Sequence, residues 1–113
     1  MGTKVNQYDV FWVQLDPIEG SEMAKTRPCV VISPDEMNDY LNTVAIAPLT
    51  SNMKFAHWRT RVIFDGQDGM VALDHIRSVS KSRLGAYMGH LHVSEINAIK
   101  EAIKEAIKEM FVE

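Results

Sequence analysis

The chain has 113 residues, of which 46% are hydrophobic and 24% charged, and its formal net charge is −3. This composition is typical of a globular protein, and we expect residues 1–113 to form a single domain. The negative total disfavours a protein that grips long nucleic acid through a broad cationic surface, but it allows a small cationic site. We expect neither a membrane span nor a signal peptide, and the single cysteine, Cys29, fits a reducing cytoplasm.

The first third of the chain predicts two strands and the loop that joins them. Residues 8–15 are rich in β-forming side chains that roughly alternate, so they predict the first strand. Residues 16–22 have turn chemistry and predict an exposed loop. Residues 29–32 are apolar on both faces, which is typical of a central strand.

A short helix and a third strand are predicted next. Ser33 as the cap and Pro34 in the first turn predict a helix that ends near Asn42. Residues 43–48 predict a third strand, which Pro48 should stop because proline cannot donate to a sheet ladder.

The middle of the chain predicts a loop and then a hairpin. Residues 49–60 lack periodicity and predict a mobile loop. Residues 61–64 and 69–73 flank a good turn at 65–68, so they predict a β-hairpin. Residues 74–79 would continue the second hairpin strand as one bent strand.

The last third predicts a helix after a stretch, residues 80–93, that has no assigned structure. From Ser94, as the N-cap, the pattern becomes helical, with one apolar stripe and Lys and Glu opposite it. The stripe consists of Ile96, Ile99, Ile103, Ile107 and Met110. Five or six short strands and a closing helix predict a small, strongly curved β-barrel.

Two residues at strand ends point to phosphate chemistry. Arg27 stands beside the rigid Pro28 at a strand entrance, where its planar guanidinium can meet a phosphate; the alternative is a surface ion pair. Thr50 follows a strand that should pair near Arg27, and its hydroxyl can donate to a phosphate oxygen. The alternative for Thr50 is a hydroxyl that caps a turn.

Other polar residues have weaker patterns. Asp74 followed by His75 and Arg77 suggests either a general base or an Asp–Arg ion pair that ties down strand ends. The pair His90 and His92 has the spacing of two metal ligands on one strand face, but no third ligand is evident, so we expect no metal and no cofactor. Cys29 is expected to be a buried structural thiol rather than a nucleophile.

The order of these segments resembles the MazF/PemK/Kid family of toxin endoribonucleases, over about residues 8–110. The matching segments are Asp9-Val10-Phe11-Trp12 with Leu15-Asp16-Pro17, Gly20-Ser21-Glu22, Arg27-Pro28-Cys29-Val30-Val31-Ile32-Ser33, Thr43-Val44 through Ala47-Pro48-Leu49-Thr50-Ser51, and Ala72-Leu73-Asp74-His75-Ile76-Arg77-Ser78-Val79. No single segment is specific, but five in this order and spacing are.

The resemblance implies a mainly β fold with α, an SH3-like curved β-barrel (CcdB/Kid-like) with a short inserted helix and a C-terminal helix. It also implies a homodimer, an acidic and partly disordered antitoxin that blocks the site, and metal-independent cleavage of single-stranded mRNA. The ribose 2′-OH would attack the adjacent phosphorus and leave a 2′,3′-cyclic phosphate and a free 5′-OH.

The resemblance also implies roles for particular residues. Arg27 is then the catalytic arginine and Thr50 the hydroxyl that holds the phosphate. Asp74 lies where some members have an acidic residue to which the role of general base is assigned. Those members have an arginine two positions earlier, where this chain has Ala72, and this departure favours Arg27 with Thr50. The residues expected to bind RNA are Ser21, Glu22, Lys25, Ser51, Lys54, His57, Trp58, Arg59 and Arg77.

A different class of function is also compatible with the fold. Toxins that poison DNA gyrase share this barrel and act by binding a protein, and a barrel that binds RNA without cutting it is a weaker third reading. A ribonuclease needs the Arg27-Pro28 and Pro48-Leu49-Thr50 segments at one pocket, so the three-dimensional placement of these segments discriminates.

Overall fold

The computed structural model describes residues 4–15 and 26–111 of the chain. The seven strands of this part are β1 Asp9–Gln14, β2 Thr26–Val31, β3 Thr43–Thr50, β4 Arg59–Phe64, β5 Gln67–Ala72, β6 Arg77–Ser80 and β7 Leu84–His90. The two α-helices are α1 Asp35–Tyr40 and α2 Val93–Phe111, and two short 3₁₀ turns occupy Leu73–His75 and Lys81–Arg83. No helix in the described ranges is long and apolar enough to cross a membrane.

The strands form one antiparallel sheet that curls into a half-barrel. The strand order is β4-β5-β3-β2-β1-β7, and β6 pairs with β3 beside β5. The helix α1 follows β2, and α2 packs over the sheet. The predicted fold class, a mainly β and strongly curved sheet with an inserted helix and a C-terminal helix, is therefore confirmed.

Side-chain alternation along the strands separates the core into two layers. On the helix-side face, Val10, Val30 and Val71 are fully buried against Ile99 of α2. The opposite face, which we call the distal face, carries Phe11, Cys29, Val31 and Ile46 in a second buried cluster. Because neighbouring residues of a strand point to opposite faces, β1 and β2 are buried on both sides, as the apolar run at 29–32 predicted.

The β4–β5 hairpin is confirmed, with a tighter turn than predicted. Phe64 pairs with Gln67, so the turn consists only of Asp65 and Gly66. Their φ values of 55° and 75° are the left-handed conformations that a two-residue type I′ turn requires. Asp-Gly is a favoured pair for this turn because aspartate tolerates, and glycine freely adopts, positive φ.

The predicted cap of the first helix is wrong in its details. Pro34 precedes α1 without a side-chain cap, and the helix ends at Tyr40 rather than Asn42. Ser33 instead joins a buried network, in which its Oγ donates to Asn38 Oδ1 (2.6 Å) and accepts from the Ala45 N–H (3.0 Å). Asn38 Nδ2 returns a hydrogen bond to the Ser33 carbonyl at 2.8 Å. The serine therefore ties α1 to β3.

The N-terminus of α2 is capped by His92 rather than Ser94. The Glu95 and Ile96 N–H groups donate to the His92 carbonyl, and the Ser94 N–H donates to His92 Nδ1 at 3.3 Å. Glu95 Oε1 accepts from the His92 N–H, and its Oε2 accepts from the Ile63 N–H of β4 at 2.8 Å. These bonds satisfy the first turn and attach it to the edge of the sheet.

The apolar stripe of α2 is confirmed over its first half. Ile96, Ile99 and Ile103 pack on the helix-side cluster, but Ile107 is 48% exposed, so the stripe extends past the sheet. The side chain of Met110 lies outside the described residues.

One strand extends beyond its predicted limits, and another lies where no strand was predicted. β3 continues through Pro48 to Thr50, so the loop spans 51–58 rather than 49–60. β7 occupies much of the unassigned stretch, where its pairing with β1 shifts register twice and breaks the alternation. Its Gly85 faces the backbone of Trp12, whose carbonyl oxygen would lie 3.1 Å from an added Cβ. Because of these irregularities, the sequence lacks the two-residue alternation of apolar and polar side chains that predicts a strand.

Ser33→Ala should lower the free energy of unfolding by about 1–3 kcal/mol, because it leaves the part-buried Ala45 N–H and the buried Asn38 Oδ1 without the Ser33 hydroxyl as partner. Urea denaturation measures the change, and Ser78→Ala, at an exposed position of β6, serves as the matched control. Equal midpoints for the two variants would contradict a structural role for Ser33.

Candidate functional site

Arg27 and Thr50 lie on the same face of neighbouring strands. In β2 and β3, Cys29 pairs with Pro48, and the same register extended by two residues brings Arg27 opposite Thr50. Residues two apart in a strand share a face, so both side chains belong to the distal face with Cys29. Both residues are half-buried. The two segments that a single phosphate pocket requires therefore meet.

A second arginine, Arg77, approaches the same place from β6. It is the cross-strand partner of Ile46, which in turn pairs with Val31. Burial raises the pKa of the Cys29 thiol to about 12, and the positive charges of Arg27 and Arg77 partly oppose this rise. Both guanidinium groups therefore lie within electrostatic reach of Cys29. The fully buried thiol stays protonated near neutral pH, as expected of a structural cysteine.

A short turn interrupts the strand between β5 and β6 and faces the middle of β3. Leu49 pairs with Val71 and Ile46 pairs with Arg77. Three residues along β3 therefore correspond to six residues along the segment from β5 to β6. The three extra residues are the 3₁₀ turn Leu73–His75, which packs against β3 and β4. The prediction of one bent strand over 74–79 is wrong here, because the turn pushes Asp74 and His75 out of the ladder.

This turn also explains how β3 accommodates Pro48. The segment opposite Ala47 and Pro48 is the turn rather than a paired strand. A proline that lacks its N–H therefore loses no ladder hydrogen bond on that side.

Asp74 is held by an arginine from the neighbouring strand. Arg59 Nε donates to Asp74 Oδ1 at 2.9 Å, and Arg59 Nη2 donates to Asp74 Oδ2 at 3.0 Å. This bidentate bond lowers the pKa of the Asp74 carboxyl and raises the pKa of Arg59. The Asp–Arg ion pair considered from the sequence is therefore present, with Arg59 as the partner.

His75 completes a three-residue cluster with this ion pair. Its Nε2 lies 3.4 Å from Asp74 Oδ2, and its side chain is 65% exposed. The Leu73 N–H donates to the Trp58 carbonyl at 3.0 Å, which fixes the turn beside the start of β4. We call Arg59, Asp74 and His75 the ionic triad.

The distal face gathers arginines from three strands. Arg59 and Arg61 of β4 stand opposite Ala72 and Met70 of β5, and Met70 stands opposite Thr50. Cross-strand partners share a face, so these arginines lie on the same face as Thr50. The resulting arginine face comprises Arg27, Arg59, Arg61 and Arg77.

Among the described residues, two aspartates pair with arginines of this face. Asp74 pairs with Arg59, and Asp68 accepts from Arg61 at 2.9 Å. The sheet thereby concentrates positive charge in one place although the chain as a whole is acidic. A site of this kind suits an anionic group of limited size.

The chain matches known proteins over nearly its whole length. Residues 6–107 match the model of the "PemK-like, MazF-like toxin of type II toxin-antitoxin system" family. The chain belongs to this family. Among curated relatives, it is 31% identical over 104 residues to endoribonuclease EndoA of Bacillus subtilis, covering 87% of this chain and 90% of the relative. It is also 31% identical over 100 residues to endoribonuclease MazF of Staphylococcus saprophyticus, covering 83% of each chain.

Solved structures of toxins share the fold. The MazE–MazF complex of Deinococcus radiodurans (Form-II) superposes with a TM-score of 0.79 at 20% identity, covering 95% of this chain and 98% of the other. A mycobacterial endoribonuclease in complex with its cognate antitoxin gives 0.73 at 21% identity, covering 95% and 96%. At these identities the likeness establishes the fold.

The loop residues expected to bind RNA lie beside the arginine face, between β3 and β4. Ser51, Lys54, His57 and Trp58 are exposed. His57 packs edge-on against Phe55 with ring centroids 5.5 Å apart, and half of the Trp58 surface is accessible. Ser21, Glu22 and Lys25 lie outside the described residues. The RNA contacts of all these side chains stay predictions.

The alternative role for Thr50, a turn cap, is visible in the structure. Its Oγ1 accepts a hydrogen bond from the Asn52 N–H at 3.1 Å. A hydroxyl both accepts and donates, so this bond orients Thr50 and leaves its O–H proton able to donate to a ligand.

The two histidines with metal-ligand spacing have other contacts. His90 Nδ1 lies 2.9 Å from Oδ1 of the buried Asp9, and His92 caps α2. No group of three or more residues suited to hold a metal ion occurs within the described ranges.

Arg61 was not among the residues expected to bind RNA, and His75 was not assigned a role of its own. Arg61 joins the arginine face because it pairs with Met70 of β5, which in turn pairs with Thr50. His75 lies beside Asp74 because the two residues share the 3₁₀ turn. The signal for the turn, a register mismatch against β3, exists only once the strand partners are known.

The Arg59–Asp74 pair should make stability depend on pH in a specific direction. Since pairing lowers the pKa of Asp74 in the folded state, its stabilising effect is present above the ordinary carboxyl pKa and disappears as the pH falls through the lowered value. The difference in urea midpoint between the wild type and Asp74→Asn should therefore shrink below about pH 4. High salt should reduce it as well, because both side chains are partly exposed.

The matched control is the same comparison in an Arg59→Gln background, where the pH-dependent part of the difference should vanish. A difference that grows on acidification, or that persists without Arg59, would contradict the pairing.

Proposed function

We propose that this chain is a sequence-specific endoribonuclease toxin of a toxin–antitoxin system, which cleaves single-stranded mRNA and so inhibits translation and growth. The observation that carries the proposal is the meeting of Arg27 and Thr50 on an arginine-rich face. This arrangement occurs in a chain whose family consists of toxins and whose curated relatives are named endoribonucleases.

The proposed reaction is attack of the ribose 2′-OH on the adjacent phosphorus, which yields a 2′,3′-cyclic phosphate and a 5′-OH. The phosphorane in the transition state carries extra negative charge on its oxygens, and preorganised donors stabilise it. The Arg27 guanidinium supplies charge and two parallel donors, and the Thr50 hydroxyl supplies a third donor from the next strand. Arg77, on the other side of Cys29, binds a flanking phosphate.

Recognition of the RNA sequence is assigned to the loop 51–58 and to the segment that precedes β2. Loops on a rigid scaffold commonly carry specificity, and the exposed ring of Trp58 provides a stacking surface for an unpaired base. Lys54 supplies a phosphate contact. Arg59, which was expected to hold a phosphate, contributes mainly by fixing Asp74.

The partners of the proposed toxin are a second copy of the chain and an antitoxin. We propose a homodimer of single-domain subunits in the cytoplasm. An acidic and partly disordered antitoxin would cover the arginine face and exclude RNA through opposite charge. Solved relatives that include an antitoxin chain support this partner class.

Arg27→Ala should reduce the rate of RNA cleavage by about 10²–10³ and leave the fold intact, because it removes one transition-state donor. The measurement is single-turnover cleavage of a long mRNA in the presence of EDTA, with the 3′ ends tested for cyclic phosphate. Lys4→Ala, which removes an exposed cation that pairs with Asp39 of α1, is the control and should cut at the wild-type rate.

A wild-type protein that never cuts RNA but binds DNA gyrase would place the chain with the non-catalytic toxins of this fold. Cleavage abolished by EDTA and restored by Mg²⁺ would overturn the metal-independent mechanism.

Exchanging residues 51–58 for the corresponding loop of a relative should change which RNA sequence is cut. The cyclic-phosphate product should stay the same, because Arg27 and Thr50 lie on the strands rather than in the exchanged loop. Sequencing of the cleaved ends provides the measurement. An unchanged cut site in an active, folded chimera would move recognition to another part of the protein.

A further inference from the structure

We propose that His75 is the general base that takes the proton from the attacking ribose 2′-OH, with Asp74 and Arg59 as its positioning residues. This inference rests on the endoribonuclease function proposed above. It assigns the proton transfer, a step for which Arg27 and Thr50 provide no suitable group.

The first argument is the location of His75. The turn Leu73–His75 lies opposite Pro48, between the level of Thr50 on one side and that of Arg77 on the other. Met70 stands opposite Thr50 and the turn begins three residues later, so it starts about 10 Å along the strand from the Thr50 level. The imidazole is mostly exposed on the surface of the turn, where a bound RNA strand can reach it.

The second argument is the identity of the nitrogen that is left to react. The contact between Asp74 Oδ2 and His75 Nε2, at 3.4 Å, is ionic in character, and the negative charge beside Nε2 favours the tautomer that carries its proton there. Nδ1 then keeps its lone pair and is the basic nitrogen. Arg59 binds both Asp74 oxygens and so holds the carboxylate beside the ring.

The third argument is that the neighbouring side chains are unsuited to act as the general base. Arginine is protonated at every pH at which the protein functions, so neither Arg27 nor Arg77 can accept a proton. Asp74 itself is a weakened base, because its hydrogen bonds with Arg59 lower its pKa. Imidazole is the side chain whose ordinary pKa lies near the pH of the cell, which is the condition for efficient base catalysis.

Proton transfer accompanies the exchange of bonds at phosphorus. The 2′-OH proton moves to His75 Nδ1 while the bond between O2′ and phosphorus forms and the bond between phosphorus and O5′ breaks. O5′ takes a proton from water, and the imidazolium later returns its proton to solvent. The charge that forms on the ring is stabilised by Asp74, in the manner of a base oriented by a third group.

Among the residues that the structure describes, Asp74 faces the imidazole from the same turn and Arg59 of β4 acts on it through Asp74. Arg77 follows two residues along the chain, at the start of β6. The pH profile is therefore a property of the cluster rather than of one side chain.

The experiment measures single-turnover cleavage against pH, with an RNA that contains the site cut by the wild type. The wild-type rate should rise with pH and then level off, because a general base acts only in its deprotonated form. His75→Gln should lose this inflection and cut about 10²–10⁴ times more slowly at neutral pH. Added imidazole should restore part of the rate to His75→Ala, and Asp74→Asn should slow cleavage without abolishing it.

Two controls separate this role from others. His92→Asn removes an imidazole but keeps a side chain that caps helices well, so it should retain the wild-type rate and profile. The affinity for the same RNA with a 2′-deoxy substitution at the cut site should be nearly unchanged in His75→Gln, because a base acts in the chemical step.

A His75→Gln protein with the wild-type rate and inflection would overturn the proposal. So would a variant whose whole defect lies in the affinity for the uncleavable RNA. If cleavage still requires Arg27 in either case, only the base assignment fails. A wild type without Arg27-dependent cleavage would instead refute the proposed function.

Discussion

The pairing of β3 with three other strands is the constraint on which the site depends. One edge of β3 pairs with β2, and the other edge pairs first with β6 and then with β5. The segment that runs from β5 to β6 has three residues more than the stretch of β3 that it faces. These residues leave the ladder as a turn, and that turn carries Asp74 and His75 beside the strands that hold Arg27 and Thr50. A flat sheet with continuous strands would bury or scatter the same side chains.

The electrostatics of the molecule follow from this topology. The chain as a whole is acidic, and several of its glutamates lie on the exposed side of α2, which packs on the helix-side face. The arginines come from β2, β4 and β6 and project from the opposite face, because alternation along each strand leaves them no other side. Because α2 is itself nearly balanced, with three lysines beside its four glutamates, it is the clustering of arginines on one face that lets a protein of net charge −3 present a local cationic surface. Short-range attraction at such a surface is compatible with release of a product after cleavage, since the field beyond it is weak.

In the ionic triad, the guanidinium beside Asp74 comes from Arg59 on β4 rather than from position 72 on the segment that carries Asp74. Ala72 offers no guanidinium of its own, but its cross-strand partner is Arg59, and the longer arginine side chain reaches Asp74 from β4. A substitution on one strand can be offset by a residue on the next strand because cross-strand partners are closer in space than residues two apart along a strand. The comparison of motifs along the sequence treats these positions as unrelated.

Patterns along the chain were sufficient for the elements whose signals are local. The apolar run at 29–32 and the stripe of Ile96, Ile99 and Ile103 predicted the structure that is present, and the turn signal at 65–68 predicted the hairpin, because backbone preference and side-chain periodicity act over a few residues. The order of the motifs was sufficient for the family. Arg27 and Thr50 were recognised as partners for the same reason, since consecutive antiparallel strands bring their ends together.

The remaining features were decided by contacts between distant residues. Ser33 binds Asn38 and Ala45 instead of capping α1, and β7 lost its period because Gly85 must approach the backbone of Trp12. Arg59, Asp74 and His75 meet only through a register mismatch with β3 that no stretch of sequence expresses. The sequence by itself therefore determined the family, most of the strands and the closing helix, whereas the tertiary structure decided where β7 lies and which charges face one another. The physical reason is that periodicity reports on one strand at a time, and hydrogen-bond register between strands is a property of the folded sheet.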